Sequence, residues 1–284
     1  MKQTIGIIGL GLIGGSFAKA LHKHPGTRVL AFDINPEVTV HALTDGSIHG
    51  VLGSDDLKEC DFIIIALRPN DALDWLERYA DKIRPDTIVF DVAGVKRFVA
   101  RTMVPLATTH NLRFVSVHPM AGFHEGGYVN ATDSMFAGAS FIVCDESLDE
   151  ETSDELFRLA RKAGFAHMVV TSPENHDEMV AFTSQLAHIV SSAYIKDPSA
   201  QMHGGYSAGS FQDMTRVAIL DPEMWSELCI ENADMLVAHL DVLTDNLAQY
   251  RDALSQRDSQ RLTTLLSDGV EAKRHSIETH ATAL

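Results

Sequence analysis

Apolar positions in the first half of the chain come in short runs. Residues 4–9 (TIGIIG), 28–33 (RVLAFD), 61–67 (DFIIIAL), 87–92 (TIVFDV), 113–117 and 140–144 each read as a buried strand. Helical stretches at residues 15–22, 71–83 and 148–163 lie between several of them. Turn signals at Arg68-Pro69 and Arg84-Pro85-Asp86 bound two of the strands. Apolar strands alternating with helices predict an α/β fold, with a mostly parallel sheet covered on both faces.

The pattern changes near residue 171. Ser172-Pro173-Glu174 has the form of a helix start, with serine as N-cap and proline in the first turn. No strand pattern follows it. Met179, Phe182, Leu186, Ile189 and Ala193 advance by three and four, which marks one helix face. Asp221-Pro222-Glu223 repeats the start signal. Trp225, Leu228, Asn232, Leu236, His239, Leu243, Leu247, Tyr250 and Leu254 then keep the same rhythm. This predicts a single helix longer than most globular ones. Its apolar seam needs cover, so residues 172–284 are expected to form an all-α dimerisation domain after a sheet domain at 1–171. The alternative is a monomeric bundle around one long central helix.

Composition narrows the partners. The chain has 284 residues, 45% hydrophobic and 22% charged, as a globular protein with a sizeable core does. Its net charge of −16 argues against nucleic-acid binding and means that an anionic substrate needs local positive groups. Cys60, Cys144 and Cys229 are scattered without metal-ligand spacing, so no metal is expected and a reduced, cytoplasmic setting is. No apolar run approaches the ~20 residues that span a bilayer. The opening MKQTIGIIGLGLIGG is too rich in glycine for a signal-peptide helix.

Those glycines have another explanation. Gly9-Leu10-Gly11-Leu12-Ile13-Gly14 is GxGxxG between a strand and a helix, and Asp33 ends the next strand. Gly9 makes the tight turn, Gly11 admits a pyrophosphate to the backbone, and Gly14 lets helix and strand pack closely. Leu12 and Ile13 open the helix whose N-terminus faces the phosphates. Asp33 suits a ribose hydroxyl and repels a 2′-phosphate, and no arginine follows in Ile34-Asn35-Pro36. The expected cofactor is NAD rather than NADP.

Three stretches place polar residues in apolar settings. VSVHPMAGFHEGG (115–127) puts His118 at the end of a strand and His124 in a glycine-rich loop. TSQLAH (183–188) sets Ser184 and His188 four apart on one helix face, where the hydroxyl could orient the imidazole. GGYSAGSFQDMTR (204–216) ends in Arg216, a guanidinium able to grip a carboxylate in bidentate fashion, with Asp213 nearby.

Taken in order, GxGxxG, DVAGVK (91–96), HPMAG, TSQLAH, SFQDMTR and DPEMW (221–225) resemble the prephenate and arogenate dehydrogenases of tyrosine biosynthesis, over nearly the whole chain. The resemblance implies a Rossmann-type domain joined to an all-helical dimerisation domain, a homodimer, and a small-molecule substrate. It implies NAD+-dependent oxidation of the ring carbinol of prephenate with loss of the ring carboxylate as CO2, giving 4-hydroxyphenylpyruvate. His118 would accept the hydroxyl proton, with His188 and Ser184 completing the catalytic set. Arg216 would bind a substrate carboxylate, Asp213 would position it, and Trp225 would wall the pocket. Lys96 or Arg97, ranked above Arg68, would supply a second positive contact.

The chain departs from the family pattern at several places. Many relatives carry a serine where Gly94 stands, and a glutamate where His124 stands, which makes His124 a candidate substrate contact. Gln212 replaces an arginine, and Ala187 replaces a helix proline. No regulatory or chorismate mutase domain is expected after Leu284. Other readings stay open: an arogenate or dual-specificity cyclohexadienyl dehydrogenase, or an inactive NAD-binding sensor dimer. A 3-hydroxy-acid dehydrogenase would need a lysine where Ser184 and His188 stand.

Overall fold

The apolar runs become strands in a computed structural model that describes residues 3–123 and 125–281. They are β1 (Gln3–Ile8), β2 (Thr27–Phe32), β3 (Gly50–Val51), β4 (Phe62–Ile65), β5 (Ile88–Asp91), β6 (Arg113–Pro119), β7 (Ser140–Val143) and β8 (His167–Val170). These eight strands form one sheet in the order β3-β2-β1-β4-β5-β6-β7-β8. Neighbours run parallel except β6 and β7, which are antiparallel. The expected mostly parallel sheet is therefore present.

Alternation along each strand feeds two cores. Ile5, Ile7, Phe62, Ile64 and Phe90 point to one face, where Phe17, Phe136, Phe141 and Phe165 join them. Ile8, Ile63, Ile65 and Val89 point to the other, against Leu76, Phe98 and Met103. Both faces are covered, which is why these strands read as continuous apolar runs. The covering helices are α1 (Leu12–His22), α2 (Pro36–Thr44), α3 (Pro69–Tyr79), α4 (Arg97–Thr109) and α5 (Glu150–Ala163).

After β8 the chain is helical: α6 (Pro173–Val180), α7 (Leu186–Tyr194), α8 (Gly209–Thr215), α9 (Pro222–Glu231), α10 (Ala233–Ser255) and α11 (Ser259–Ala281). Ser172 and Asp221 cap α6 and α9 through their side chains, as their sequences predict. The single helix expected through Trp225 and Leu254 is two. It breaks at Asn232, whose backbone is non-helical (φ −120°, ψ 24°). Asn232 is fully buried and its amide donates to the Asp177 carbonyl and to Gln185 Oε1, both at 2.8 Å. Three-and-four rhythm survives such a break, because the apolar face resumes on its far side.

The chain packs as two compact units, one ending at Ala233 and the other starting at Asp234. The second consists of most of α10 together with α11. Tyr250 of α10 donates its hydroxyl to the Leu265 carbonyl of α11 at 2.9 Å. Val237, Val242, Leu247, Leu254, Leu266, Val270 and Ile277 of these helices are exposed. Among the described residues no helix is long and apolar enough to cross a membrane.

Candidate active site

The glycine turn lies at the end of β1, between β2 and β4, where the strand order reverses. In an open α/β sheet this is where ligands bind. Gly9 has φ +88°, and a Cβ there would meet the Ala66 carbonyl oxygen at 2.5 Å. A Cβ on Gly14 would meet the Gly9 carbonyl oxygen at 1.9 Å. Around Gly11, by contrast, a Cβ would find nothing within 4 Å. The first turn of α1 has no side-chain cap and no acidic residue, so its N–H groups face an approachable surface. Leu12 and Ile13 pack against the core and fix the helix start. Asp33 ties the turn to β2 by accepting from Leu10 N at 2.7 Å and Asn35 N at 2.9 Å, and keeps lone pairs for a hydroxyl. These features fit a dinucleotide's pyrophosphate and ribose.

The second constellation gathers around His118, half-buried near the end of β6. Its Nδ1 lies 2.8 Å from His176 Nε2, with the rings edge to face at 5.0 Å. His176 Nδ1 lies 2.7 Å from Asp177 Oδ1. Both partners are buried, at 3% and 0% exposure. Asp177 also accepts from the backbone N–H groups of Lys96 (2.7 Å) and Arg97 (2.8 Å) at the start of α4, and Arg97 Nε lies 3.6 Å away. On its other side His118 faces Gly94, where a Cβ would stand 4.0 Å from Nε2 and 3.5 Å from a Leu228 methyl. Burial holds the His118 and His176 imidazoles below their usual protonation range, His118 well below it. The neighbouring His176 and the Lys96 ammonium push His118 further in that direction.

Three of the candidate cations, Lys96, Arg97 and Arg68, are engaged within the protein. Lys96 is wholly buried, and its ammonium donates to Asp91 Oδ2 at 2.6 Å and to the Val117 carbonyl. A buried ion pair of this kind is costly to break, so the substrate contact expected of Lys96 does not match its placement. It braces β6 one residue before His118. Arg97 donates to Asn232 Oδ1 at 3.1 Å, and Arg68 pairs with Asp221 and Glu223.

The helix carrying TSQLAH contains a π-helical turn, Ala181–Gln185. Such turns often occur at functional sites. His188 Nδ1 lies 2.9 Å from the Ser184 carbonyl, so the backbone rather than the expected hydroxyl orients this imidazole. His188 stacks on Trp225 with ring centroids 3.8 Å apart. Burial lowers its protonation range, and Arg216 adds to the effect. Asp213 and Arg216 are both exposed, on α8 and at its end, and among the described residues no ion pair joins them. His124 lies outside the described residues.

His176 and Asp177 escape a sequence reading. HD inside PENHDEMV looks like an ordinary helix face, and only the fold brings it to His118 and the start of α4.

Comparison with known proteins finds the same family in both halves of the chain. A model of the prephenate dehydrogenase nucleotide-binding domain matches residues 17–170, and one of the prephenate dehydrogenase dimerization domain matches residues 172–268. Prephenate dehydrogenase of Bacillus subtilis is 32% identical over 278 residues, spanning 92% of this chain and 73% of that protein. The structure of prephenate dehydrogenase from A. aeolicus, in complex with hydroxyphenyl propionate and NAD+, superposes with a TM-score of 0.83 at 26% identity, covering 97% of this chain and 98% of that one. Synechocystis arogenate dehydrogenase superposes with a TM-score of 0.78 at 25% identity, covering 96% and 100%. With these likenesses along nearly its full length, the chain belongs to the prephenate dehydrogenase family.

Proposed function

We propose that this chain catalyses the NAD+-dependent oxidative decarboxylation of prephenate to 4-hydroxyphenylpyruvate, in tyrosine biosynthesis. The observation that carries the proposal is His118, half-buried, with Nδ1 engaged by His176 and Nε2 turned towards Gly94. When bound, NAD+ supplies the hydride acceptor. Gly9, Gly11, Leu12, Ile13, Gly14 and Asp33 would hold it, as the uncapped helix start and open face at Gly11 suggest.

His118 Nε2 takes the proton as the ring O–H bond breaks and the carbinol carbon is oxidised. The C–C bond to the ring carboxylate then breaks, CO2 leaves, and its electron pair makes the ring aromatic. His118 returns the proton to the ring oxygen, so no net proton is consumed. An imidazole whose protonation is disfavoured by burial is in its basic form at neutral pH, ready for the first step.

Arg216 would bind a substrate carboxylate, with Asp213 beside it. His188, oriented by Ser184 and stacked on Trp225, would line the pocket. His124 remains a candidate substrate contact, and Lys96 serves better as the brace of β6 than as a ligand. The functional division falls between residues 171 and 172, a reading supported by where the two family models meet. A homodimer through the C-terminal helices would cover the exposed apolar residues of α10 and α11. Cysteine usage favours a cytoplasmic location.

The test is direct. Purified protein should form NADH with prephenate and NAD+, and far more slowly with NADP+. Activity confined to arogenate would move the assignment to arogenate dehydrogenase, a reading that the Synechocystis likeness keeps in view.

A further inference from the structure

Gly94 leaves His118 without a hydroxyl on its Nε2 side, and the contacts on its Nδ1 side supply a different way to hold the ring. Hydrogen positions follow from the partners. A carboxylate only accepts, and Asp177 already draws in two backbone N–H groups and the edge of a guanidinium. The hydrogen on neutral His176 must then sit on Nδ1, pointing at Asp177. That leaves His176 Nε2 with a lone pair, so His118 Nδ1 must be the donor across the 2.8 Å contact. The lone pair of His118 is left on Nε2, the nitrogen that looks towards Gly94.

We infer that His176 and Asp177 are positioning residues that act through His118: they lock it as the Nδ1–H tautomer, with Nε2 as proton acceptor, in place of the hydroxyl that Gly94 lacks. This rests on the reading of His118 as the base. When Nε2 accepts the substrate proton, the Nδ1–H bond stays intact and points at an imidazole backed by a carboxylate. The new positive charge is thus met within two hydrogen bonds. Lys96 does not oppose it at full strength, because its ammonium is paired with Asp91.

The alternative is that His176 merely fills the core beneath α6. Two measurements separate the two. In full-length protein carrying 15N-labelled histidine, without substrate, long-range 1H–15N correlations report which ring nitrogen holds hydrogen. His118, identified by the signal lost in His118→Asn, should show Nδ1–H and a bare Nε2. A signal with hydrogen on Nε2 overturns the inference, whether or not the protein turns over prephenate. In the second measurement, His176→Phe keeps a ring in place but removes both nitrogens. It should lower kcat roughly ten- to a hundredfold, with KM for NAD+ little changed. Adding Gly94→Ser in that background should recover part of the loss, since a Cβ there makes only ordinary contacts. A core-filling histidine would not be rescued by a hydroxyl on the far side of another ring, so absence of rescue overturns the inference. If the unmodified protein forms no NADH with prephenate or arogenate, the proposed activity fails while the tautomer result still stands by itself.

Discussion

The glycine turn at the end of β1 and the histidine centre near the end of β6 are assembled in opposite ways. The turn is built within residues 9–14, plus one carboxylate from the neighbouring strand. Its properties are backbone properties: a positive φ at Gly9, close approach at Gly14, bare N–H groups at the start of α1. The histidine centre draws Gly94, His118, His176, Asp177 and Leu228 from separate segments of the chain. Its polar side chains are linked in a row, Asp177 to His176 and His176 to His118. A local backbone device tolerates little change at its packed positions, whereas a dispersed one tolerates change in packing but not in chemistry.

The sharpest break in that comparison comes from His118→Asn. It should reduce kcat by about 100- to 10,000-fold, roughly 3 to 5 kcal/mol in barrier, while the denaturation midpoint barely moves. Turnover that survives would place the base elsewhere. Gly14→Ala should do the reverse. Its Cβ would stand 1.9 Å from the Gly9 carbonyl oxygen, so helix or strand must move, at a cost of about 3 kcal/mol in urea unfolding. An unfolding curve like that of the unmodified protein would show that the contact is not as tight as described.

A smaller effect is read in pH. His118, His176 and His188 all have protonation ranges lowered chiefly by burial. Unfolded, each would titrate near about pH 6.5. Below that value the unfolded chain binds more protons than the folded one, so stability is full above about 6.5 and is lost as pH falls. Around His118 the charges are Lys96 with Asp91, and Arg97 with Asp177 behind His176. His118→Asn should therefore flatten the acid side of a plot of unfolding free energy against pH. An unchanged slope would mean that His118 is not kept neutral by burial.

The same contrast explains what could be seen in the sequence. Strands buried on both faces announce themselves, as TIGIIG and DFIIIAL do. β3 has only two residues, and β8 leaves Val169 and Val170 exposed, so neither carries that signature. The helix caps at Ser172 and Asp221 are local and were readable. The break at Asn232 depends on partners at Asp177, Gln185 and Arg97, far away in the chain. Lys96 sits in a motif that invites a substrate role, yet Asp91 and Val117 take its ammonium inside the sheet. His118 was visible because a proline and glycines surround it, while His176 had no mark beyond its helix. Backbone requirements leave residue-type signatures; long-range side-chain pairing leaves almost none.

Gly11→Ala is the finest test, because it separates the two jobs of glycine within one turn. A methyl at Gly14 meets protein, but a methyl at Gly11 meets nothing of the protein within 4 Å. Its backbone (φ −72°, ψ −156°) is also one that an L-residue adopts without strain. Folding stability should thus stay within about 0.5 kcal/mol of the unmodified value. Any loss must come from whatever approaches that surface. If a pyrophosphate lies against it, the methyl holds the phosphates off the N–H groups of α1, and NAD+ affinity should fall about tenfold, or ~1.4 kcal/mol. Calorimetric titration with NAD+ and a urea melt of the same sample read the two quantities side by side. Unchanged affinity would move the pyrophosphate away from Gly11, and a large drop in stability would show that this glycine, like Gly14, serves packing.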